Sequence, residues 1–263
     1  MFTFKPQLAF LALPLAVMLS ACSSPAVKDT RDVYSLVLEE QAKETAEKQK
    51  FNPKLVSLIN QDTDSGNFLF RGNMPLNANG FAYNELVAAL KKASVGKNLP
   101  EQFYLVDISL INSLNPQEAS DLKIEQTYWQ QNSSTGELLN HPVYGSLTSP
   151  NDYPASVRKK LEKIPTLSNT DALLERIQGL LLARQQSGLP LVLYIHCEAG
   201  KDRTGEVAAS YAMKYLGSSY ADAYASAKRI ANRDISTYSR NELQWYAYFL
   251  KDIKNLPNIG PIK

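Results

Sequence analysis

Cysteine and glycine are both scarce in this sequence, and no run of apolar residues is long. Two cysteines among 263 residues cannot build a disulfide framework or a cysteine-based zinc site. Twelve glycines exclude a collagen-like or glycine-rich low-complexity chain. Charge of one sign is not in excess either, with 28 basic against 26 acidic side chains, so we predict no nucleic-acid partner. A hydrophobic content of 44% is sufficient for a folded core.

The apolar run at residues 8–19 follows Lys5 and ends at small residues. Such a run is too short to cross a bilayer, which needs roughly 20 residues, but the pattern is typical of a secretory signal. The tetrapeptide Leu19-Ser20-Ala21-Cys22 resembles the lipobox of bacterial lipoproteins. This resemblance implies removal of residues 1–21, acylation of Cys22 and an exported, membrane-anchored protein. Ser23 resembles the pattern that directs such proteins to the outer membrane of Gram-negative bacteria. The alternative is an ordinary signal peptide with an incidental cysteine.

The rest of the chain divides into a tether and one domain. Residues 22–50 are polar and charged, and they predict a tether that continues into a surface helix. For the domain at 51–263, periodicity predicts strands at 68–71, 103–108 and 191–195, and helices at 84–92, from 173 to Gly188, and at 207–216, 219–232 and 239–252. A capping box of Ser239 and Glu242 is predicted to open the last helix. Residues 111–160 lack clean periodicity and predict loops and short pieces. This order indicates an α/β fold with a C-terminal cluster of helices.

The most specific signal lies between the predicted strand at 191–195 and the helix that follows. The segment His196-Cys197-Glu198-Ala199-Gly200-Lys201-Asp202-Arg203-Thr204-Gly205 matches the pattern H-C-x-x-G-x-x-R-[ST]-G. Six fixed positions would coincide by chance at on the order of one site in a million. The segment resembles the signature loop of the cysteine-dependent protein tyrosine phosphatases, and its strand–loop–helix setting agrees with that motif. The resemblance implies a phosphatase-like fold, with a mostly parallel central sheet flanked by helices, and a reaction without metal or cofactor.

The residue types of this loop explain the expected chemistry. A thiol is nucleophilic only as the thiolate, and an ordinary thiol pKa of about 8.5 leaves little thiolate at neutral pH. Backbone N–H groups at a helix N-terminus stabilise such an anion and also bind phosphate. We therefore predict Cys197 as the nucleophile and residues 198–203 as the phosphate-binding loop. Arg203 can clamp two phosphate oxygens, and Gly200 permits the tight turn.

Three further loop residues receive predicted roles. Thr204 can donate its hydroxyl to the sulfur when the thiophosphate is hydrolysed. His196 is predicted to hold the backbone of Cys197 by binding loop carbonyls, as structural support and not as a metal ligand. The general acid is predicted to be Asp202, because the Lys-Asp-Arg core resembles bacterial tyrosine and lipid phosphatases in which the in-loop aspartate serves. Asp152, 45 residues before Cys197 in a predicted loop, is the alternative. Asp171 is assigned to helix capping.

The sequence therefore predicts a phosphomonoester hydrolase that works through a cysteinyl-phosphate. Its expected substrates are phosphotyrosine proteins, phosphoinositides or both, and the alternatives are a phytase-like inositol polyphosphate phosphatase and a non-catalytic phosphate-binding module. Arg71 and Asp107, near the ends of predicted strands, resemble early positions of the phosphatase fold, and capping or a surface ion pair is an equal alternative for them.

Overall fold

The computed structural model describes residue 35, residues 50–185 and residues 188–263. The predicted signal peptide, Cys22 and the helix of the tether lie outside the described residues, apart from Ser35. Among the described residues, no helix has both the length and the apolar character needed to cross a bilayer.

A five-stranded sheet forms the centre of the domain, in the order β1-β2-β7-β5-β6. The strands are β1 (Ser57–Gln61), β2 (Phe68–Asn73), β5 (Tyr104–Ser109), β6 (Gly136–Asn140) and β7 (Leu191–Cys197). β1 is antiparallel to β2, whereas the other neighbouring pairs are parallel. A separate two-stranded hairpin joins β3 (Leu76–Asn77) and β4 (Gly80–Phe81). The predicted α/β fold with a mostly parallel sheet is confirmed.

Helices cover both faces of this sheet. They are α1 (Tyr83–Ala93), α2 (Pro116–Gln131), α3 (Ala155–Leu161), α4 (Thr170–Leu182), α5 (Asp202–Tyr215), α6 (Tyr220–Ala231) and α7 (Thr237–Tyr248), with a π-helical turn at Phe249–Ile253 and 3₁₀ turns at Pro53–Leu55 and Pro150–Asp152. Successive residues of a strand point to opposite faces, so Phe68 and Phe70 join a core with α1, while Leu69 joins a core with α4, α5, α6 and α7. All seven residues of β7 are buried, because helices cover both of its faces.

The prediction of loops over residues 111–160 is wrong. This stretch contains the 16-residue helix α2 and the strand β6. The inward face of α2 is not apolar: its buried residues are Glu118, Asp121, Leu122, Glu125 and Trp129. A periodicity search for apolar residues cannot detect a helix that buries carboxylates.

The predicted capping box at the start of the last helix is also wrong. α7 begins at Thr237 with Ser236 as its N-cap, and the Ser236 hydroxyl accepts a hydrogen bond from the Ser239 backbone N–H. Glu242 lies inside the helix and is 1% exposed. Its carboxylate accepts hydrogen bonds from the Thr166 and Thr170 hydroxyls instead of capping the helix. The helix predicted to end before Gly188 is α4, which ends at Leu182.

Candidate active site

The signature loop connects the end of β7 to the start of α5, as predicted. Cys197 is the last residue of β7 and is 1% exposed, and Asp202 is the first residue of α5. Glu198, Ala199, Gly200 and Arg203 are also buried, while Lys201 is half-buried. The nucleophile therefore lies at the carboxyl edge of the parallel strands and at the amino end of a helix, where a helix binds anions best.

Two hydrogen bonds fasten the loop to β2 and the residue after it. The Met74 backbone N–H donates to the Glu198 carbonyl at 3.2 Å, and the Arg71 Nη2 donates to the Gly200 carbonyl at 2.8 Å. Gly200 has a φ of +68°, and a Cβ at this position would lie 2.4 Å from the Gly72 carbonyl oxygen. Only glycine fits here. With these carbonyls held against β2, the loop has the form of an anion-binding turn at a helix N-terminus.

The orientation of Arg203 is fixed by Glu118, a residue that sequence reasoning missed. Arg203 Nη1 and Nη2 donate to the two Glu118 carboxylate oxygens at 3.0 and 2.6 Å, and both side chains are buried. Glu118 Oε2 also accepts from the Asn112 backbone N–H at 2.8 Å. A guanidinium carries five N–H donors, so the two hydrogen bonds to Glu118 use only part of the hydrogen-bonding capacity of Arg203. The acidic inward face of α2 thus serves the catalytic loop.

Arg71 supplies a second buried cation close to the nucleophile. It is 3% exposed, and burial lowers its pKa to about 10, although the charge of Cys197 works in the opposite direction. The guanidinium is therefore still protonated at neutral pH. The attraction is mutual, so Arg71 favours the thiolate form of Cys197. Neither capping nor a surface ion pair describes Arg71, which is a buried strand residue that holds the loop.

His196 lies between two buried carboxylates beneath the loop. Its Nε2 atom is 2.9 Å from Asp107 Oδ1 and 3.2 Å from Glu125 Oε1, and all three side chains are fully buried. The Trp129 indole N–H donates to Asp107 Oδ2 at 2.9 Å. Ligand-type atoms of the three residues lie within 4.8 Å of one another, and both carboxylates are within ion-pair distance of Nε2. The prediction that His196 acts through loop carbonyls missed these two acidic partners.

His196 and Glu125 remain protonated to unusually high pH. Burial alone would lower the pKa of His196, but the charges of Glu125 and Asp107, with hydrogen bonds to Asp107 and the Cys197 backbone, raise it to about 9. Burial raises the pKa of Glu125 to about 8, against the opposing effect of His196. At neutral pH, the cluster thus holds protonated groups next to the nucleophile.

Thr204 lies in the first turn of α5, directly after the loop. Its hydroxyl is fully buried in the first turn of α5 and has no hydrogen-bond partner among the described residues. A buried hydroxyl without a partner is costly, and donation to the sulfur of Cys197 during the reaction would satisfy it. Its role stays a prediction.

Asp202 is engaged with the segment before α7. Its Oδ1 and Oδ2 accept from Arg233 Nη1 and Nη2, both at 2.7 Å, and Oδ1 also accepts from the Ser236 backbone N–H at 2.6 Å. Asp202 is 1% exposed. This geometry favours a positioning role, in which Asp202 joins the catalytic loop to the start of α7, over proton donation.

Asp152 lies in the 3₁₀ turn at Pro150–Asp152, where it forms a capping box with Ser149. The neighbouring Asn151 accepts from the Tyr248 hydroxyl at the last residue of α7. The start of α7 is the part that touches Asp202, and eleven residues of helix correspond to about 16 Å. The structure therefore does not bring Asp152 to the loop. Asp171 does not cap α4 and instead accepts from Lys214 and Tyr246.

A buried thiol at a strand end, an anion-binding turn at a helix N-terminus and an arginine fixed by a carboxylate define a cysteine-dependent phosphatase site. Residues 106–226, from β5 to α6, match the model of a family described as the tyrosine phosphatase family. This segment, just under half of the chain, is similar to that family, and the protein is a phosphatase.

Three solved phosphatase structures are distantly similar to this chain. Tk-PTP in its active form is 17% identical, over 76% of this chain and 96% of that one, with a TM-score of 0.41. A kinase associated phosphatase is 14% identical, over 79% and 97%, with a TM-score of 0.42. The PP-IP phosphatase SIW14 of S. cerevisiae is 17% identical, over 79% and 93%, with a TM-score of 0.37. No curated protein matches the chain.

The Glu118–Arg203 pair generates the first prediction. Glu118→Gln removes one of two acceptors and leaves a buried guanidinium without its charge partner. We expect kcat/KM to fall about 100-fold, since small displacements of a positioned group can cost this much. Vanadate binding should weaken in parallel, while alkylation of Cys197 by iodoacetamide should be little changed. Glu137→Gln, an exposed position on β6, is the matched control. Unchanged vanadate affinity in Glu118→Gln would show that Glu118 does not position Arg203.

The cluster around His196 generates a prediction about stability and pH. The pKa of His196 rises from 6.5 to about 9 and that of Glu125 from 4.5 to about 8 on folding. The folded chain thus binds more protons than the unfolded chain in these intervals, so stability is lost as pH rises through about 8 and 9. We expect the contribution of this cluster to the free energy of unfolding, measured by denaturant titration, to fall between about pH 4.5 and 9. The fall should be smaller in Glu125→Gln, and an equal fall in this variant would contradict the assignment.

The Asp202–Arg233 pair generates a third prediction. Asp202→Asn and Arg233→Ala should each lower kcat/KM by about 10- to 100-fold, because each breaks the same connection between the loop and α7. The loss should be similar for aryl phosphates and for alkyl phosphates, whose leaving oxygens are much more basic. The double variant should lose little more than either single variant. A much larger loss on alkyl phosphates in Asp202→Asn alone would instead identify Asp202 as the general acid.

Proposed function

We propose that the protein is a membrane-anchored phosphatase that hydrolyses phosphomonoesters of tyrosine-phosphorylated proteins, of phosphoinositides or of both. The observation that carries this proposal is the buried loop in which Cys197 lies at the N-terminus of α5 and Arg203 is held by both oxygens of Glu118. The Lys-Asp-Arg core of the loop supports the substrate classes through its resemblance to bacterial tyrosine and lipid phosphatases. The lipobox-like segment that ends at Cys22 supports the anchor.

The reaction proceeds in two displacements at phosphorus. The Cys197 thiolate attacks, an S–P bond forms, and the P–O bond to the alcohol or phenol breaks while the leaving oxygen takes up a proton from solvent. Arg203 and the loop N–H groups bind the phosphoryl oxygens in line with the sulfur. Water then attacks the cysteinyl-phosphate, the S–P bond breaks, and inorganic phosphate, the thiolate and a proton are released. Donation by Thr204 makes sulfur a better leaving group.

A single variant and a substrate panel test this proposal. Cys197→Ser should abolish phosphate release while the fold and vanadate binding persist, because an alcohol is far less acidic than a thiol. Wild-type protein should release phosphate from phosphotyrosine peptides and phosphoinositides, and chelators should have no effect. Phosphate release by Cys197→Ser would contradict the mechanism. Release from inositol polyphosphates alone would instead assign a phytase-like activity.

The anchor has its own test. Cys22→Ser should move the processed protein from the membrane fraction to the soluble fraction, because acyl chains on one cysteine would be the attachment. Phosphate release from a soluble aryl phosphate should be unchanged, since Cys22 is not part of the loop. Equal membrane association of the wild type and the variant after signal processing would refute a lipid anchor at this residue.

A further inference from the structure

The outer side of α3 and the turn after it carries lysines and exposed apolar side chains together. We call this set the lysine–apolar surface, and its members are Lys159, Lys160, Lys163, Val157, Ile164 and Leu167. The three lysines are exposed, and the exposed fraction is 41% for Val157, 63% for Ile164 and 83% for Leu167. A single exposed apolar side chain is normal on a protein, but a group of them indicates a contact surface.

The helical period interleaves the two kinds of side chain. Residues three and four apart in a helix lie on the same face, so Lys160 lies next to Val157 in α3. After α3 ends at Leu161, the Ile164 backbone N–H donates to the Leu161 carbonyl at 2.9 Å. This bond continues the turn, and Ile164 follows Lys160 on the same side. Positive charge and apolar surface are therefore presented together.

The opposite side of α3 fastens the segment to α7. Arg158 Nε donates to Glu162 Oε1 at 3.0 Å, and the Arg158 guanidinium lies 3.9 Å from the centre of the Tyr248 ring. Glu162 is the single acid of residues 155–167, and it is 4% exposed. The one negative charge of the segment is thus turned inward and paired, so the outer side carries positive charge alone.

The three lysines are not compensated by the domain itself. None of them forms an ion pair with another residue in the described part of the chain, whereas Lys214 and Lys228 lie 2.6 and 2.7 Å from the carboxylates of Asp171 and Asp234. A lysine that pairs within the domain has less charge to offer a partner. The ammonium groups of the lysine–apolar surface keep theirs.

The end of the segment is also fixed. Ser168, directly after Leu167, is fully buried, and its hydroxyl accepts from the Tyr144 backbone N–H at 3.0 Å. The His141 Nε2 atom lies 2.7 Å from the Ser168 carbonyl oxygen. With Arg158 at one end and Ser168 at the other, Ile164 and Leu167 are held outward by a bonded framework.

This combination matches a lipid surface better than a protein surface. Lysine is depleted in protein interfaces, whereas segments that lie on membranes combine lysines with large apolar side chains. Anionic lipid phosphates attract the ammonium groups, and apolar side chains enter the layer between headgroups and acyl chains. Lysine stems also lie well along such a boundary.

We propose that the lysine–apolar surface binds an anionic lipid bilayer, with its lysines at the lipid phosphates and Ile164 and Leu167 inserted among the headgroups. The contact belongs to the folded domain, so it depends neither on acylation of Cys22 nor on the substrate assignment above. Beside a lipid anchor, it supplies a second attachment and determines which side of the domain faces the bilayer.

Binding to vesicles tests the proposal without the anchor. The processed Cys22→Ser protein should co-sediment with vesicles of equal parts phosphatidylcholine and phosphatidylglycerol. It should bind vesicles of phosphatidylcholine alone at least about tenfold more weakly, and added salt should weaken binding to the anionic vesicles. Equal binding to both kinds of vesicle would overturn the proposal. Binding to neither would also overturn it and would favour an acidic protein as the partner.

Charge variants of the same protein locate the contact. Each lysine near an anionic surface contributes about fivefold to binding. Replacing all three lysines of the surface by glutamine should therefore weaken binding to anionic vesicles at least about tenfold. The matched control makes the same change of net charge at three exposed lysines elsewhere and should bind as its parent does: Lys54→Gln, Lys92→Gln and Lys123→Gln. Equal losses in the two triple variants would show that overall charge, and not this surface, binds lipid.

Apolar variants test insertion. Ile164→Ser with Leu167→Ser should weaken binding about tenfold, because two large apolar side chains no longer leave water. Leu182→Ser with Val95→Ser, at positions 54% and 82% exposed, is the matched control and should bind as its parent does. All of these variants should keep the parent's kcat/KM on a soluble aryl phosphate, which shows that the fold is intact. Equal binding by the two apolar pairs would overturn the proposal.

Discussion

Burial of charge next to Cys197 is the constraint on which the rest of the site depends. A thiolate or a phosphate dianion at this depth needs cations that are themselves removed from water, and a buried charge without a partner is very costly. Arg203 is therefore paired with Glu118, and His196 with Asp107 and Glu125. Arg203 and His196 therefore each need an acidic partner in the protein interior.

This requirement explains the unusual composition of α2. The helix packs against the sheet with carboxylates where most helices bury leucine or valine. Glu118 and Glu125 are seven residues apart, two helical turns, so they lie on one face and reach Arg203 and His196 at two depths of the site. Few residues of this helix, Leu122 and Trp129 among them, make apolar contacts with the core. Ion pairs therefore contribute as much as hydrophobic contacts to the position of α2.

Sequence reasoning succeeded where one local rule determined the structure. The loop at residues 196–205, β7 and the helices on the apolar core have strong motifs or strong periodicity, and the structure has them at the expected places. It failed at α2, because a buried acidic face resembles a solvated one in a linear pattern. Arg71 and Glu118 could not be assigned either. They lie 126 and 79 residues before Cys197, and only the sheet order and the packing of α2 bring them to the loop. Glu242 was misassigned because Ser239 and Glu242 match the spacing of a capping box by coincidence.

The segment that matches the family model, residues 106–226, is not by itself a complete catalytic unit. It contains the nucleophile, Arg203 and Glu118. The strand that fastens the loop through Arg71, and the Arg233 side chain that holds Asp202, lie on either side of it. A fragment cut to the matched residues would retain every signature residue and lose the neighbours that fix the loop in place. The boundaries of a functional enzyme are thus wider than those of its recognisable sequence, and any minimal version has to extend at least from β2 to the start of α7.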